Sequence, residues 1–423
     1  MSAPGQRVER PLLAFGLLWL AYFATIGVFS PYAPLWFKSL GLSTIAIGAI
    51  SSLQSWTRLL APYAWSWAAD HSGQRVALIR WAAAGALLAA VALALAPWLA
   101  AAMTDQGATA AASAGAETWW VVAVVPALVA LLFVANGGVV PLAESALSQL
   151  LMTQQGLDAA RYGRVRMWGS VGFIAAVLGA GALLQPLGIA AFPWLLVLIN
   201  GALLLAAMRL PRGHEERPDG QPAPPVGPIL RQPAVRWFFV SVFFTVLAHT
   251  SLYAFFSLHL DELGYGKQAV GALWAVSVAA EVLFFMQQGR WFARLSPHGW
   301  LLLAAGVTAL RFAGMAWAGP LLWLLVLAQL THAITFAGHH AGCIALIGRY
   351  FPARLRGRGQ ALYSALGYGL SGLIGGVGGG WLVGHVGFAG LYWAAAGAGL
   401  AALAAAWAAQ ATDRRLASPA PTR

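Results

Sequence analysis

Apolar residues in this chain gather into long runs, each parted from the next by a few residues of Gly, Pro or charge. Runs long enough to cross ~30 Å of hydrocarbon occupy 11–36, 45–68, 77–101, 119–150, 167–187 and 192–210. Six more occupy 236–259, 268–289, 299–318, 320–348, 360–383 and 388–410. Backbone groups in lipid must be satisfied within their own segment, so each run is predicted to be a helix. The pattern predicts an all-α membrane protein: twelve transmembrane helices in two pseudo-symmetric six-helix bundles. The first run, from Pro11 past Ser30, is too long for a signal-peptide core and is read as a retained helix. Between the sixes lies a charged stretch holding Pro218, Pro222, Pro224, Pro225 and Pro228, the composition of a flexible linker. The predicted organisation is an amino-terminal bundle over 1–210, a cytoplasmic linker over 211–235, a carboxy-terminal bundle over 236–410 and a cytoplasmic tail over 411–423.

Composition agrees with a bilayer as solvent: 60% of the 423 residues are hydrophobic and 9% charged, against roughly a quarter charged in soluble domains. Twenty Trp and ten Tyr suit a protein with many membrane–water interfaces. A net charge of +12 would suggest nucleic acid in a soluble domain, but its distribution excludes that partner. With the amino terminus and the even-numbered loops on the cytoplasmic side, 25 Lys and Arg fall there except Lys38, Lys267, Arg58 and Arg311. The basic charge is topogenic, which predicts a bacterial inner-membrane protein with both termini in the cytoplasm. The one cysteine, Cys343, permits no internal disulfide, and no Cys/His metal spacing is present, so no metal is expected.

The two halves read as repeats. A shift of 223 residues places Gly41 on Gly264, Ala46 on Ala269, Gly48 on Gly271 and Ala49 on Ala272. The same shift sets Arg58 of the second segment over Glu281 of the eighth. Parallel six-helix repeats put the substrate near the midplane between them.

A charge at bilayer depth costs several kcal/mol unless it is paired or faces water, so each one is a candidate for function. The carboxylates are Glu144 and Glu281, the guanidinium groups Arg58 and Arg311 with Arg166 entering the fifth segment, and the histidines His249, His332, His339 and His340. Glu281 serves as a proton carrier if its proton affinity follows conformation: desolvation holds the proton and an approaching Arg311 releases it. His332 relays or tunes that proton, or packs as a hydrogen-bonded histidine. His339 and His340 are read as structural. Asn136, Gly137, Gly138 and Pro141 loosen the fourth segment beside Glu144, or pack as a small-residue pair. The loop Asp70–Arg75, with an acid, a tight turn at Gly73 and a base, is a plain connection or a charge latch between helices.

That loop resembles the signature of the major facilitator superfamily, from which His71 and Gln74 depart. The stretches 160–174 (ARYGRVRMWGSVGFI), 29–37 (FSPYAPLWF) and 136–145 (NGGVVPLAES) are similar to the fifth, first and fourth helices of the lactose permease and phenylpropionate permease group. The resemblance implies that Glu144 and Arg166 form a substrate-binding pair and that Glu281, Arg311 and His332 form a proton-coupling trio. It implies Asp70, Gly73 and Arg75 as a conformational latch. Thr335 stands where the lactose permease carries its proton-carrying carboxylate, and Phe173 where it has a sugar-stacking Trp, so Phe173 joins the substrate-binding set. The phenylpropionate branch shares the Arg58 position and lacks the carboxylate, so the chain is more similar to that branch.

Counting Arg166, at the entry to the fifth segment, as within the membrane, Arg58, Arg166 and Arg311 outnumber Glu144 and Glu281 by one charge, which an anionic solute would satisfy; counting it in the cytoplasmic interface removes the surplus. The expectation is a proton-coupled symporter of a small organic solute, an aromatic or other monocarboxylate, working by alternating access. The proton is the coupling ion and no other cofactor is expected. The partners are the solute and membrane lipid, and the chain is a monomer. Proton-coupled uptake of a saccharide or nucleoside, with Glu144 and Arg166 binding hydroxyls, is the alternative, as is drug efflux by antiport. No nucleophile–base constellation or phosphate-binding glycine loop points to an enzyme.

Overall fold

The structure is a computed structural model; it describes residues 6–104, 119–153, 156–211, 225–317, 321–352 and 355–417. Much of the predicted linker, 212–224, lies outside the described residues.

The first six long helices are α1 (Gln6–Ser39), α2 (Thr44–Ser72), α3 (Arg75–Thr104), α4 (Trp120–Leu150), α5 (Ala159–Leu187) and α6 (Phe192–Met208). The second six are α7 (Pro233–Glu262), α8 (Lys267–Met286), α9 (Pro297–Trp317), α10 (Leu322–Tyr350), α11 (356–386) and α12 (388–417). Two-residue strands β1 (Met152–Thr153) and β2 (Gly156–Leu157) pair antiparallel between α4 and α5.

Ten segments of the described chain are apolar and long enough to cross a membrane. Two features complete the twelve. The last segment, Arg356–Arg414, is two helices meeting at Gly387, whose φ of 69° no helix contains. α2 spans 29 residues but carries Ser51, Ser52, Gln54, Ser55, Thr57 and Arg58, which lower its hydropathy below that of the ten. α4 opens with a π turn, Trp120–Val124, and is interrupted at Gly137–Gly138, where the fourth run was expected to loosen. Side chains such as Leu60, Trp81, Trp98 and Leu310 stand exposed all round, a liability in water and the ordinary surface of a protein in lipid.

By contact the chain forms two compact units: Met1–Ser43, Trp56–Asp219 and Gly264–Ala275 make one, and Thr44–Ser55, Gly220–Leu263 and Val276–Arg423 the other. The first has a core of Leu18, Trp19, Ile79, Leu142 and Leu203, and the second of Phe238, Val242, Leu301, Leu346 and Phe351. Lipid supplies no hydrophobic drive between helices, so close backbone approach through small residues does the packing. In the first unit a Cβ on Gly172 of α5 would run into the Leu20 carbonyl of α1, and one on Gly27 would lie 2.7 Å from the Phe173 carbonyl. In the second, a Cβ on Gly399 of α12 would lie 2.7 Å from the Ala309 backbone of α9.

The 223-residue repeat is visible in the backbone. Gly41 and Gly264 both take φ near +80° in the turn before α2 and before α8. Gly48 and Gly271 are both points of backbone contact, Gly48 against the Gly376 carbonyl of α11 and Gly271 against the Val177 carbonyl of α5. Thr44 Oγ1 donates to the Gly380 carbonyl at 2.8 Å, and Tyr32 Oη to that of Val177 at 2.8 Å. Thr44 and Gly48 thus tie the first turns of α2 to α11, and Gly271 ties those of α8 to α5.

Candidate functional site

Inside the second unit, four helices bring a charged and polar cluster together. Arg311 of α9 is buried and spends its donors on α10: Nη1 donates to His332 Nδ1 at 2.9 Å and to Thr335 Oγ1 at 3.2 Å, and Nη2 to Gln329 Oε1 at 3.2 Å. His332 Nε2 lies 3.0 Å from Glu281 Oε1 of α8. A guanidinium has only donors, so His332 Nδ1 must accept and the ring proton must sit on Nε2, where it donates to the Glu281 carboxylate. The imidazole is thus a neutral bridge between the guanidinium and the Glu281 carboxyl group, and Arg311 reaches Glu281 through it.

The same logic assigns His249 of α7. Nδ1 donates to the Thr245 carbonyl at 2.7 Å, which leaves Nε2 to accept from the Thr335 hydroxyl at 3.1 Å. Gln329, His332 and Thr335 follow at three-residue spacing on α10 and present one polar face. The π turn Ala333–Gly338 follows directly and advances the register, carrying Phe336 onto the His332 ring at a centroid distance of 5.2 Å. Glu281, Arg311 and His332, named from the sequence, therefore meet. Gln329 and Thr245 escaped notice because each is unremarkable until the partner helix is placed. The signal for Gln329 was its position one turn before His332.

Inside the first unit, Arg166 Nε of α5 lies 3.8 Å from Glu144 Oε1 of α4, with both side chains partly exposed. Its guanidinium packs on the Trp19 and Phe23 rings of α1, 4.5 and 4.4 Å from their centroids, a placement that suits arginine's flat, weakly hydrated cation. Phe173 is buried, its backbone against Gly27 of α1. The side chain of Arg58 lies outside the described residues. In the 70–75 loop Arg75 Nη2 donates to Asp70 Oδ1 at 3.1 Å, and Gly73 takes φ of 65° to make the turn. His340 Nδ1 meets the Tyr363 hydroxyl at 3.1 Å, and His339 lies on Cys343 Sγ. Among the described residues no group of three His, Cys, Asp or Glu side chains could hold a metal ion.

The model of the MFS_1 like family matches residues 12–394. The chain belongs to that family. It is a major facilitator superfamily member, a multi-pass membrane transporter of small molecules and not an enzyme. Among the family's relatives it is 30% identical over 395 residues to the Probable 3-phenylpropionic acid transporter of Escherichia coli (strain K12), covering 89% of this chain and 93% of that one. It is 29% identical over 374 residues to the Maltose permease of Geobacillus stearothermophilus, covering 87% and 86%. Among solved structures, the nucleoside transporter NupG superposes with a TM-score of 0.71 at 17% identity over 95% of this chain and 99% of that chain. The D-xylose-proton symporter superposes with a TM-score of 0.65 at 15% identity over 95% and 96%. At such identities the structural likeness speaks for the shared fold.

Proposed function

We propose that this family member is a proton-coupled symporter of a small organic acid, an aromatic or other monocarboxylate, working by alternating access between its halves, 1–210 and 236–410, joined by 211–235. The observation that carries the reading is the bridge Glu281–His332–Arg311: a buried carboxyl group joined to a buried guanidinium through a neutral imidazole. Such an acid changes partner when protonated, and intramembrane acids of this kind mark proton relays. The transporter from Escherichia coli named for 3-phenylpropionic acid supports a carboxylate solute. In this reading Arg58 and Arg166 receive the solute's charge and Phe173 packs near it. Asp70, Gly73 and Arg75 latch α2 to α3. The protein is a monomer in the bacterial inner membrane, surrounded by lipid, with both termini cytoplasmic as the arginine distribution demands.

A second reading, uptake of a saccharide, draws on Glu144 and Arg166 beside Trp19 and Phe23, a hydrogen-bonding pair on an aromatic wall, and on the Maltose permease relative.

Thermal-shift measurements on purified protein against aryl monocarboxylates, saccharides and nucleosides separate the two, because a ligand that binds only the folded state raises its apparent stability. Stabilisation by an aryl carboxylate is expected. Stabilisation by a saccharide alone transfers the solute to the second reading, and solute uptake that moves no protons in proteoliposomes overturns the coupling.

A further inference from the structure

Two hydrogen-bonded strings of proton-exchanging groups end on one nitrogen atom. The first is Glu281 with His332, 3.0 Å apart. The second begins at the Thr335 hydroxyl, 3.1 Å from His249 Nε2. Thr335 and His249 line a small cavity together with Thr245, Tyr253, His339 and Tyr368. The cavity has room for about one water molecule, which needs two to four polar partners. Thr245 Oγ1, on its wall and almost fully buried, has no hydrogen-bond partner among the described residues. Beyond the cavity the Tyr368 and Tyr363 hydroxyls stand 3.2 Å apart, and Tyr363 Oη stands 3.1 Å from His340 Nδ1. Both helices that build this string turn π-helical along it, α10 over Ala333–Gly338 and α11 over Tyr363–Leu370. Such turns re-aim side chains and cluster at functional sites.

Between the strings sits Arg311 Nη1, 2.9 Å from His332 Nδ1 and 3.2 Å from Thr335 Oγ1. A hydroxyl accepts one proton as it gives up another, and an imidazole accepts on one nitrogen and releases from the other. A guanidinium donates both ways, accepts nothing and keeps its protons. Nη1 therefore joins the strings geometrically and interrupts them chemically. Its site is within hydrogen-bond distance of both ends, so a water in its place would complete the chain.

We propose that Arg311 is the plug of a proton path that runs from Glu281 and His332 through Thr335 and the cavity to Tyr368, Tyr363 and His340, with His249 holding the Thr335 hydroxyl at the cavity wall. This rests on the proton-coupled reading and assigns His339 and His340, set aside as structural in the sequence, to the lining and far end of the path. While Arg311 holds this position a proton on Glu281 cannot pass along this chain of groups toward the Arg349 end of α10. Displacement of the guanidinium opens that route: Glu281 gives up one proton, His332, the water in place of Nη1, Thr335, the cavity water, Tyr368 and Tyr363 each take one proton and release one, and the proton arrives on His340 Nδ1. A coupled transporter needs such an interruption, since a continuous chain would dissipate the gradient without moving solute.

The test is proton flux without solute: purified protein in liposomes holding an internal pH dye, with a potential set by potassium and valinomycin. Arg311→Ser, which vacates the Nη1 position, is expected to raise proton entry about tenfold over the unaltered protein, and Tyr368→Phe added to it is expected to return the flux to baseline. Arg311→Gln serves if the serine variant is not monodisperse after purification. A folded variant with no added flux overturns the plug, and a flux that survives Tyr368→Phe overturns the path. Solute is absent from this assay, so a failure of solute–proton coupling in the unaltered protein is read separately.

Discussion

At the scale of residues, the cluster on α7–α10 is a matter of donors and acceptors in a place where an unmade hydrogen bond is expensive. Glu281→Gln keeps the shape and removes the titrating proton. It is expected to abolish accumulation of solute against its gradient while leaving counterflow exchange measurable. Accumulation that survives in proteoliposomes would move the proton to Glu144 or the histidines. Thr335→Val removes a hydroxyl that serves Arg311 and His249 at once. Transmembrane hydrogen bonds average about 0.6 kcal/mol and reach about 1.7, so a loss of about 1–2 kcal/mol is expected, read as a lower thermal midpoint. Arg58 tests the anion reading: Arg58→Ala is expected to reduce uptake of a carboxylate more than of a neutral solute, and equal loss makes it structural.

Individual charges could be singled out in the sequence because an ionised side chain in an apolar run stands out against its surroundings. Glu281, Arg311 and His332 were legible that way. Gln329, Thr245 and the two tyrosines were not. Neutral polar residues occur throughout membrane helices, and only the partner across the gap distinguishes a network member from a packed one.

At the scale of helices, the packing depends on glycines that let backbones touch. Gly172 of α5 has the α1 backbone where a side chain would go, whereas Gly179, two turns further on, has nothing within 4 Å. Gly172→Leu is expected to overpack the α1–α5 contact at a cost of about 1–3 kcal/mol and to lower the yield of monodisperse protein. Gly179→Leu, the same change on the same helix facing open space, is expected to be near neutral. Equal effects of the two would show that loss of glycine itself, not the contact, is what matters. Helix ends were readable where Gly or Pro punctuates them, as at Gly41 and Gly264. The π turns in α4, α10 and α11 were not, since they arise from how neighbouring helices pull a turn out of register, and no residue type encodes that.

At the scale of the molecule, the proposed orientation rests on where arginine is absent as much as on where it is present. Cys343 is buried, so a Cys343→Ser background suits labelling with a membrane-impermeant maleimide. Ser39→Cys, at the exposed end of α1, is expected to react in intact right-side-out vesicles, and Ala293→Cys, between α8 and α9, only after permeabilisation. The reverse pattern would place both termini outside.

The sequence by itself determined the solvent, the number of membrane crossings, the repeat and the short roster of buried charges. Those properties depend on the sum or spacing of residues along one chain, and hydrocarbon enforces them without reference to any neighbour. Tertiary structure alone decided which roster members meet. Only the packed helices put a neutral imidazole between Arg311 and Glu281 and set Arg311 Nη1 between two hydrogen-bonded strings. Hydrogen bonding is directional and works over about 3 Å, so it depends on helix rotation and register. Those are fixed by the glycine contacts and π turns of neighbouring helices, and a linear pattern does not contain them.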